Sequence, residues 1–264
     1  MAYLLFFPRL KDFELGRDCF ASSKRYLEII ETPLFCSEFL PPAILLSGEK
    51  NELLSKLEQN GIVHSGLVQH NLRTTKRIDG EAPGRIWKEI LGQMTLLSVS
   101  ESVSDPTRLR IEVRTERSFA HLIPFMAALI RGGAYNPNRP SLALEESHRL
   151  IAFFSDTIFI SRSDDIYDFW FQLRCSVHLI CDAFEKKPFL KPVTDPRQGI
   201  GAIEIFRRLP ATNCGKCGFA TCMEFSVALF TGRATANLCT PLFKHDTDSR
   251  RLSLLWVLQV MGLS

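Results

Sequence analysis

The C-terminal quarter of the chain contains its most informative stretch. Residues 202–242 have the sequence AIEIFRRLPATNCGKCGFATCMEFSVALFTGRATANLCTPL, which includes four of the eight cysteines in this chain of 264 residues. These four follow the spacing C-x2-C-x4-C-x16-C, at Cys214, Cys217, Cys222 and Cys239. In a chain without a recognisable secretory signal, this spacing favours metal or cluster ligation over disulfide bonds.

The ligand types leave two kinds of metal centre open. Four thiolates without a histidine suit either a structural zinc ion or an iron–sulfur cluster. Zinc sites usually combine two C-x2-C units, whereas this stretch has one such unit, a third cysteine after four intervening residues and a distant fourth. The spacing therefore favours a [4Fe–4S] cluster. Zinc binding and four unconnected core cysteines are the alternatives.

The residues between the cysteines suit a bound anionic group. A glycine follows each of the first two cysteines, where it lets the backbone bend and bring N–H groups close to the centre. We expect a helix over residues 220–231, with Cys222 in its first turn, where the helix dipole stabilises a thiolate. Phe225 and Leu229 follow on the same face and are expected to form an apolar wall beside the centre.

These motifs also carry a family resemblance. The pattern LP-x-TNCGKCG-x-x-TC-x-x-F, closed by C-x-PL, resembles the small [4Fe–4S] domain of corrinoid iron–sulfur protein large subunits and of Rnf complex B subunits. The resemblance includes a predicted helix at 203–209 and extends to residue 242. It implies a [4Fe–4S] cofactor held by the same four cysteines, and electron transfer to a recipient that it does not specify.

The overall composition is that of an ordinary globular protein. Hydrophobic residues make up 45% and charged residues 23%, and 264 residues are enough for two domains. The sequence contains no run of 18 apolar residues, so no transmembrane helix is predicted. The apolar N-terminus lacks the basic region of a signal peptide, so a signal peptide is not expected either. We therefore expect a cytoplasmic protein, in a reducing compartment that also suits the scattered Cys19, Cys36, Cys175 and Cys181.

Residues 1–187 predict an α+β domain, with a division into subdomains 1–95 and 96–187 as an option. Alternating and short apolar segments predict strands over residues 3–7, 43–46, 95–103, 109–114, 141–146, 150–154 and 157–161, with a further strand beginning at 62. Helical spacing predicts helices over residues 19–30, 49–59, 85–93, 118–130 and 163–184. A mixed, mainly antiparallel sheet packed on the long last helix is the expected architecture.

A proline-rich linker and a cluster domain are expected to complete the chain. Residues 188–199 contain three prolines and predict the linker, followed by a cluster domain over residues 200–264. The last helix, from residue 247, is apolar around nearly its whole circumference. Such a helix is buried, so we expect it to pack on the cluster domain, with a partner or dimer interface as the alternative.

Residues 135–184 weakly resemble one half-repeat of the TATA-binding-protein fold. The Tyr-x-Pro opening, the strand, the tight hairpin and the long helix follow in the same order. The resemblance implies a topology but no function. Since residues 1–199 are neutral overall, binding to nucleic acid is not expected.

Two further sets of side chains have weak metal-binding or acid–base patterns. Cys175, His178 and Asp182 share one side of the long helix, and His148 follows Glu145 and Glu146. Half-buried Cys and His on a helix are common, as are surface histidines. We therefore expect structural roles for both sets.

The net charge of +3 comes from the C-terminal part, where seven basic residues outnumber four acidic ones after residue 199. A solvated helical surface is the simpler interpretation. The alternative is a basic collar that docks an acidic electron carrier by electrostatic steering. Its members would be Arg207, Arg208, Lys216, Arg233, Lys244, Arg250 and Arg251.

Together, these patterns predict an electron-transfer or reductive-activation protein of anaerobic metabolism. One [4Fe–4S] cluster would pass single electrons to a partner protein, with a corrinoid or other metallocofactor enzyme as one candidate. The sequence has no catalytic triad, phosphate loop or dinucleotide fingerprint, so we expect the reaction to occur on the partner. A metallocofactor maturation or scaffold factor is the alternative, followed by a redox-sensing regulator that binds nucleic acid.

Overall fold

The computed structural model describes residues 1–37, 40–70, 86–130, 132–244 and 248–263. It contains helices and antiparallel strand pairs, so the predicted α+β class is confirmed. None of its described helices is both long enough and apolar enough to cross a bilayer.

The chain divides into two compact units, each assembled from separate segments. The first consists of Met1–Ser102, Pro106–Phe119 and Asp156–Asp182. The second consists of Val103–Asp105, Ala120–Ser155 and Ala183–Ser264. The predicted domain bounds at residues 187 and 199 stay predictions, because compactness alone does not show which segments fold independently.

A four-stranded antiparallel sheet begins the first unit. Its strands lie in the order β2-β3-β1-β4, with bounds β1 Ala2–Phe6, β2 Tyr26–Ile30, β3 Ala43–Ser47 and β4 Gly66–Gln69. Three helices accompany it, namely α1 Leu10–Ala21, α2 Leu34–Ser37 and α3 Lys50–Gln59. Phe13 and Phe20 of α1 share a buried apolar cluster with Leu53 and Leu57 of α3, which forms the core beside the sheet.

The rest of the first unit consists of long strands and a long helix. Its elements are α4 Ile86–Leu91, β5 Met94–Ser102, β6 Asp105–Thr115, β10 Thr157–Ser163 and α6 Ile166–Lys186. β6 lies between β5 and β10 and pairs antiparallel with β10. The carboxylate of Asp165 accepts hydrogen bonds from the backbone N–H groups of Tyr167 and Asp168, both at 3.0 Å, and so caps the start of α6.

The second unit opens with a helix and a three-stranded antiparallel meander. The elements are α5 Ile123–Leu129, β7 Ala134–Asn136, β8 Ser141–Glu146 and β9 Arg149–Phe153, in which β8 pairs with both of its neighbours. Residues of the predicted linker are fixed to these elements. Arg197 exchanges two backbone hydrogen bonds with Tyr135 and donates from its guanidinium to the carbonyl of Ala127 at 2.8 Å.

Three helices and two 3-10 turns form the C-terminal part of the second unit. The helices are α7 Ala202–Phe206, α8 Cys222–Phe230 and α9 Asp248–Val260, and the 3-10 turns are Ala236–Leu238 and Thr240–Phe243. Helix α9 packs against α7, and it also accepts a hydrogen bond from the side chain of Asn136 to the carbonyl of Gln259 at 2.8 Å. The last helix therefore packs on the cluster segment, as the sequence predicts, and contacts the meander as well.

The predicted helix over residues 19–30 is wrong from residue 22 onward, and it misses the first nine residues of the helix that begins at Leu10. Helix α1 ends at Ala21, and Tyr26–Ile30 forms β2 instead. The side chain of Ser23 accepts a hydrogen bond from the Arg25 N–H at 3.3 Å, which turns the chain out of the helix. Pairing with β3 then decides the conformation of the following apolar residues.

Two other element starts differ from the predictions. The helix expected from residue 118 begins at Ile123, after a short 3-10 turn, because Pro124 is tolerated only in the first turn of a helix. The strand expected to begin at residue 62 begins at Gly66. The other predicted strands and helices are present within a few residues of their expected bounds.

Candidate metal centre

The four predicted ligands lie around one hollow in the second unit. Cys214, Cys217, Cys222 and Cys239 all contribute to its lining. Among the residues that the structure describes, its lining contains no histidine and no carboxylate. The structure thus brings together cysteines that lie up to 25 positions apart in the sequence.

The third cysteine is held by the start of α8. Thr221 is the N-cap residue, and its hydroxyl accepts a hydrogen bond from the Glu224 N–H at 3.0 Å. The Glu224 carboxylate in turn accepts from the N–H of Ala220 at 3.0 Å. These two bonds fix the helix start at Cys222, so its thiol lies at the positive end of the helix dipole, as predicted.

The first two cysteines belong to a loop with repeated left-handed backbone conformations. Ala211, Asn213, Gly215 and Gly218 have φ values of +55°, +47°, +69° and +87°. Residues other than glycine rarely adopt this region, so the loop is tightly specified. A bond from the Gly218 N–H to the Gly215 carbonyl, at 3.0 Å, closes a turn around Cys217 and places it beside the same hollow as Cys214.

Asn213 connects this loop to the helix and was not predicted from the sequence. Its side-chain oxygen accepts a hydrogen bond from the backbone N–H of Cys222 at 2.8 Å. This hydrogen bond fixes Asn213, the residue before Cys214, to the start of α8, where Cys222 lies. Asparagine in a turn tolerates a left-handed backbone, and that tendency was the available sequence signal.

The fourth cysteine lies where two 3-10 turns meet. Its N–H donates to the carbonyl of Ala236 at 3.1 Å, and its carbonyl accepts from the N–H of Leu242 at 2.9 Å. Pro241 stands in the first turn of the second 3-10 segment and also lines the hollow. Cys239 is therefore fixed by its backbone, with only 5% of its surface exposed.

The four thiols differ in exposure and in acidity. Cys214 is exposed, and the N–H of Lys216 and the hydroxyl of Thr212 hold the pKa of its thiol below the usual value. Cys239 is buried, and burial raises the pKa of its thiol, as does repulsion from the other three thiolates. Ionisation of all four neighbouring thiols is therefore favourable only with a positively charged centre between them.

Within the described ranges, no three or more His, Cys, Asp or Glu side chains form a group that could hold a single metal ion. The same finding covers Cys175, His178 and Asp182 on α6, of which Cys175 and His178 are exposed.

Aromatic side chains form part of the wall of the hollow. Phe225 is fully buried, and its ring centroid lies 5.5 Å from that of Phe219. Both phenylalanines line the hollow. Of the two residues predicted for this wall, Phe225 is confirmed, whereas Leu229 is buried elsewhere and Phe219 takes its place.

Several members of the predicted basic collar are engaged in other contacts. Arg208 is only 1% exposed and donates to the Glu204 carboxylate at 2.8 Å and to the Ser253 hydroxyl at 3.1 Å, so its assignment to a docking surface is wrong. Arg207 also pairs with Glu204. Arg250 donates to the carbonyl of Leu209 at 2.8 Å, and the members that are exposed are Arg207, Lys216, Arg233 and Lys244.

Comparison with known proteins identifies the segment that carries this centre. Residues 209–241 match the family model described as "Putative Fe-S cluster". This segment is therefore similar to an iron–sulfur family, and the relatives confirm the predicted resemblance to corrinoid iron–sulfur proteins.

Two kinds of curated relative match this domain. The acetyl-CoA decarbonylase/synthase complex subunit gamma of Methanosarcina acetivorans is 40% identical over 53 residues, which is 20% of this chain and 11% of the relative. The corrinoid/iron-sulfur protein large subunit of Moorella thermoacetica is 43% identical over 37 residues, 14% of this chain and 8% of the relative. The match thus spans about a tenth of each relative's length.

No solved structure matches the chain significantly. The resemblance of residues 135–184 to a TATA-binding-protein half-repeat therefore stays a prediction.

Proposed function

We propose that the chain binds one [4Fe–4S] cluster through Cys214, Cys217, Cys222 and Cys239 and exchanges single electrons with a partner protein. The arrangement of the four thiols around one hollow is the main support. In a [4Fe–4S] cube each thiolate binds a different iron, so the ligands surround the cluster. A structural zinc ion would require all four sulfurs to converge at about 2.3 Å from one point.

The surrounding residues suit such a cluster in three ways. The left-handed turns at Gly215 and Gly218 leave open space where a side chain would otherwise stand. The start of α8 directs its dipole at the thiolate of Cys222, and the Phe219–Phe225 wall limits access of water from one side. When bound, a [4Fe–4S] cluster takes up and releases one electron at a time.

The relatives support a role within a multi-protein system. Their names describe a subunit of a complex and the large subunit of a corrinoid/iron-sulfur protein. We therefore propose that electrons pass to another protein, with a corrinoid or other metallocofactor enzyme as the recipient. A reducing, anaerobic cytoplasm is the compartment that suits these thiols and this role.

Anaerobic purification followed by iron and acid-labile sulfide analysis tests the cofactor. We expect about four irons per chain and, after reduction with dithionite, a fast-relaxing EPR signal. Cys217→Ala should abolish this signal, whereas Cys175→Ala, which changes a cysteine outside the hollow, should preserve it. Stoichiometric zinc, or no metal after anaerobic handling, would contradict the proposal.

A second experiment tests electron transfer itself. The reduced protein should be reoxidised by an added corrinoid protein in the cob(II)alamin state, at a rate that depends on the concentration of both proteins. The isolated protein should turn over no substrate alone. An intact cluster that exchanges no electrons with the corrinoid protein or with an added ferredoxin would leave the cofactor assignment standing and remove the proposed role.

A further inference from the structure

The four cysteines around the hollow differ in their exposure to solvent. Cys222 and Cys239 are 7% and 5% exposed, Cys217 is half-buried and Cys214 is exposed. The hollow is therefore open on the side of residues 214–217 and closed by protein on the side of α8. Because electron transfer slows steeply with distance, a redox partner has its shortest route on the open side.

The loop on the open side, residues 211–217, contains one charged residue. Lys216 lies between the first two ligands and is the sole charged residue from position 209 to position 223. Its side chain is exposed and has no ion-pair partner in the part of the chain that the structure describes. The nearest carboxylate in sequence, Glu224, is bound to the backbone at the start of α8.

Exposed apolar side chains adjoin the more deeply buried ligands. Met223 follows Cys222 in the chain and is 38% exposed, and Leu238 precedes Cys239 and is 44% exposed. Phe219, half-buried, lines the hollow itself.

We propose that the edge formed by residues 214–217, with Lys216 at its centre, is the docking surface for an acidic electron-carrier protein. Four thiolates around a cluster leave a net negative charge at this edge, which repels carboxylates. The ammonium of Lys216 offsets that charge on the solvent side. An acidic partner therefore meets the least repulsion beside Lys216, next to the ligands through which the electron leaves. This inference rests on the proposed function.

Two small oxidants of opposite charge probe this edge without a docking protein. The reduced full-length holoprotein is mixed with ferricyanide, a trianion, or with hexaammineruthenium(III), a trication, at low ionic strength. One electron passes from the protein to either oxidant, and no proton or ligand is transferred. The variants are Lys216→Glu, Lys216→Gln and, as the charge-matched control, Lys191→Glu, which alters an exposed lysine outside the lining of the hollow.

Lys216→Glu should slow reoxidation by ferricyanide about five- to ten-fold and accelerate reoxidation by hexaammineruthenium(III), with both effects shrinking as salt is added. Lys216→Gln should produce a smaller change in the same directions. Lys191→Glu should leave the ratio of the two rates unchanged within about two-fold. Equal effects of the Lys216 and Lys191 variants would overturn the proposal.

An acidic ferredoxin provides the protein probe in the same assay. The second-order rate constant for electron transfer from the reduced protein to oxidised ferredoxin should be lower in Lys216→Glu than in wild type. The decrease should be at least as large as the decrease measured with ferricyanide, and the EPR signal of the cluster should be retained. A change with ferricyanide but none with ferredoxin would show that the protein docks elsewhere. Wild-type protein that has no cluster, or that reduces neither oxidant, would instead contradict the proposed function. If Lys216→Glu fails to retain the cluster, Lys216→Gln decides the outcome, because it removes the charge and keeps the length.

Discussion

Asn213 shows how a single side chain can set the geometry of the whole centre. It occupies a left-handed backbone position and accepts the N–H of Cys222, so it satisfies one of the free donors at the start of α8. Glycine tolerates this backbone but offers no acceptor, and aspartate offers the acceptor. Replacing Asn213 by glycine or by aspartate therefore separates the effect of the left-handed backbone on the centre from the effect of the hydrogen bond.

We expect Asn213→Gly and Asn213→Ala to lose the cluster faster than wild type, and Asn213→Asp to stay close to it. Loss of the hydrogen bond removes about 1 kcal/mol, and alanine adds about 1–2 kcal/mol for its left-handed backbone. The rate of iron release to a chelator under anaerobic conditions measures the effect. We expect iron release to be slowest in Asn213→Asp, intermediate in Asn213→Gly and fastest in Asn213→Ala. Equal rates in the three variants would exclude a positioning role for Asn213.

At the scale of elements, a buried ion pair joins α7 to α9. Glu204 is fully buried and pairs with Arg208, whose guanidinium also contacts Ser253 of α9 and lies 5.7 Å from the ring centroid of Trp256. Removing one member of a buried pair leaves a charge without compensation, which destabilises more strongly than removing an exposed pair. The contact between the two helices therefore depends on both charges.

Glu204→Gln should lower the free energy of unfolding of the protein by about 3–5 kcal/mol, because it removes the carboxylate charge that is paired with the buried guanidinium of Arg208. Arg207→Ala is the control. Its side chain is 42% exposed, and its pair with Glu204 should contribute about 1 kcal/mol or less. Denaturant unfolding followed by Trp256 fluorescence measures both, and similar values for the two variants would contradict this assignment.

The buried aromatic side chain of Trp256 on α9 allows a second comparison between variants. Trp256 is 9% exposed, and its ring centroid lies 6.1 Å from that of Phe154. Trp256→Ala should destabilise by about 3–5 kcal/mol. Leu252→Ala, on the same helix but 55% exposed, should change stability by less than about 1 kcal/mol. Thermal unfolding monitored by circular dichroism distinguishes the two, and equal shifts would show that α9 is not anchored through Trp256.

The accuracy of the sequence predictions also varies by element. The sequence predicted the start of α8 and the grouping of the four cysteines around one hollow, because thiol spacing and helix capping are local properties. The segment Tyr26–Ile30 has apolar residues compatible with a helix, and only its pairing with β3 makes it a strand. Arg208 was assigned to the surface because sequence spacing does not show that a carboxylate one turn away is buried with it.

At the scale of the whole molecule, the ligands come from two stretches separated by α8. The fourth ligand lies 17 positions after the third, at the segment that leads into α9. A bound centre therefore connects the TNCGKCG loop to the approach to the last helix, and binding to such sites is coupled to local folding. The sheet of β1 and β3, by contrast, has its own apolar core.

Removal of the cluster should therefore change the two units unequally. Hydrogen exchange followed by mass spectrometry should show faster exchange across residues 209–242 and α9 in the apoprotein. Peptides from β1 and β3 should exchange at the same rate in both forms, because their ladder and core contain none of the four ligands. Equal acceleration in all peptides would show that the cluster stabilises the whole chain.

The exposure of Cys214 also determines how the protein is damaged by air. With the proposed cluster bound, molecular oxygen would reach it by the same open edge that is proposed for electron transfer, because thiolate oxidation follows exposure and Cys214 is exposed. A docked partner would cover that edge, so the complex should survive aeration longer than the free chain. Association with the partner would then protect the protein from oxidation by air as well as allow electron transfer.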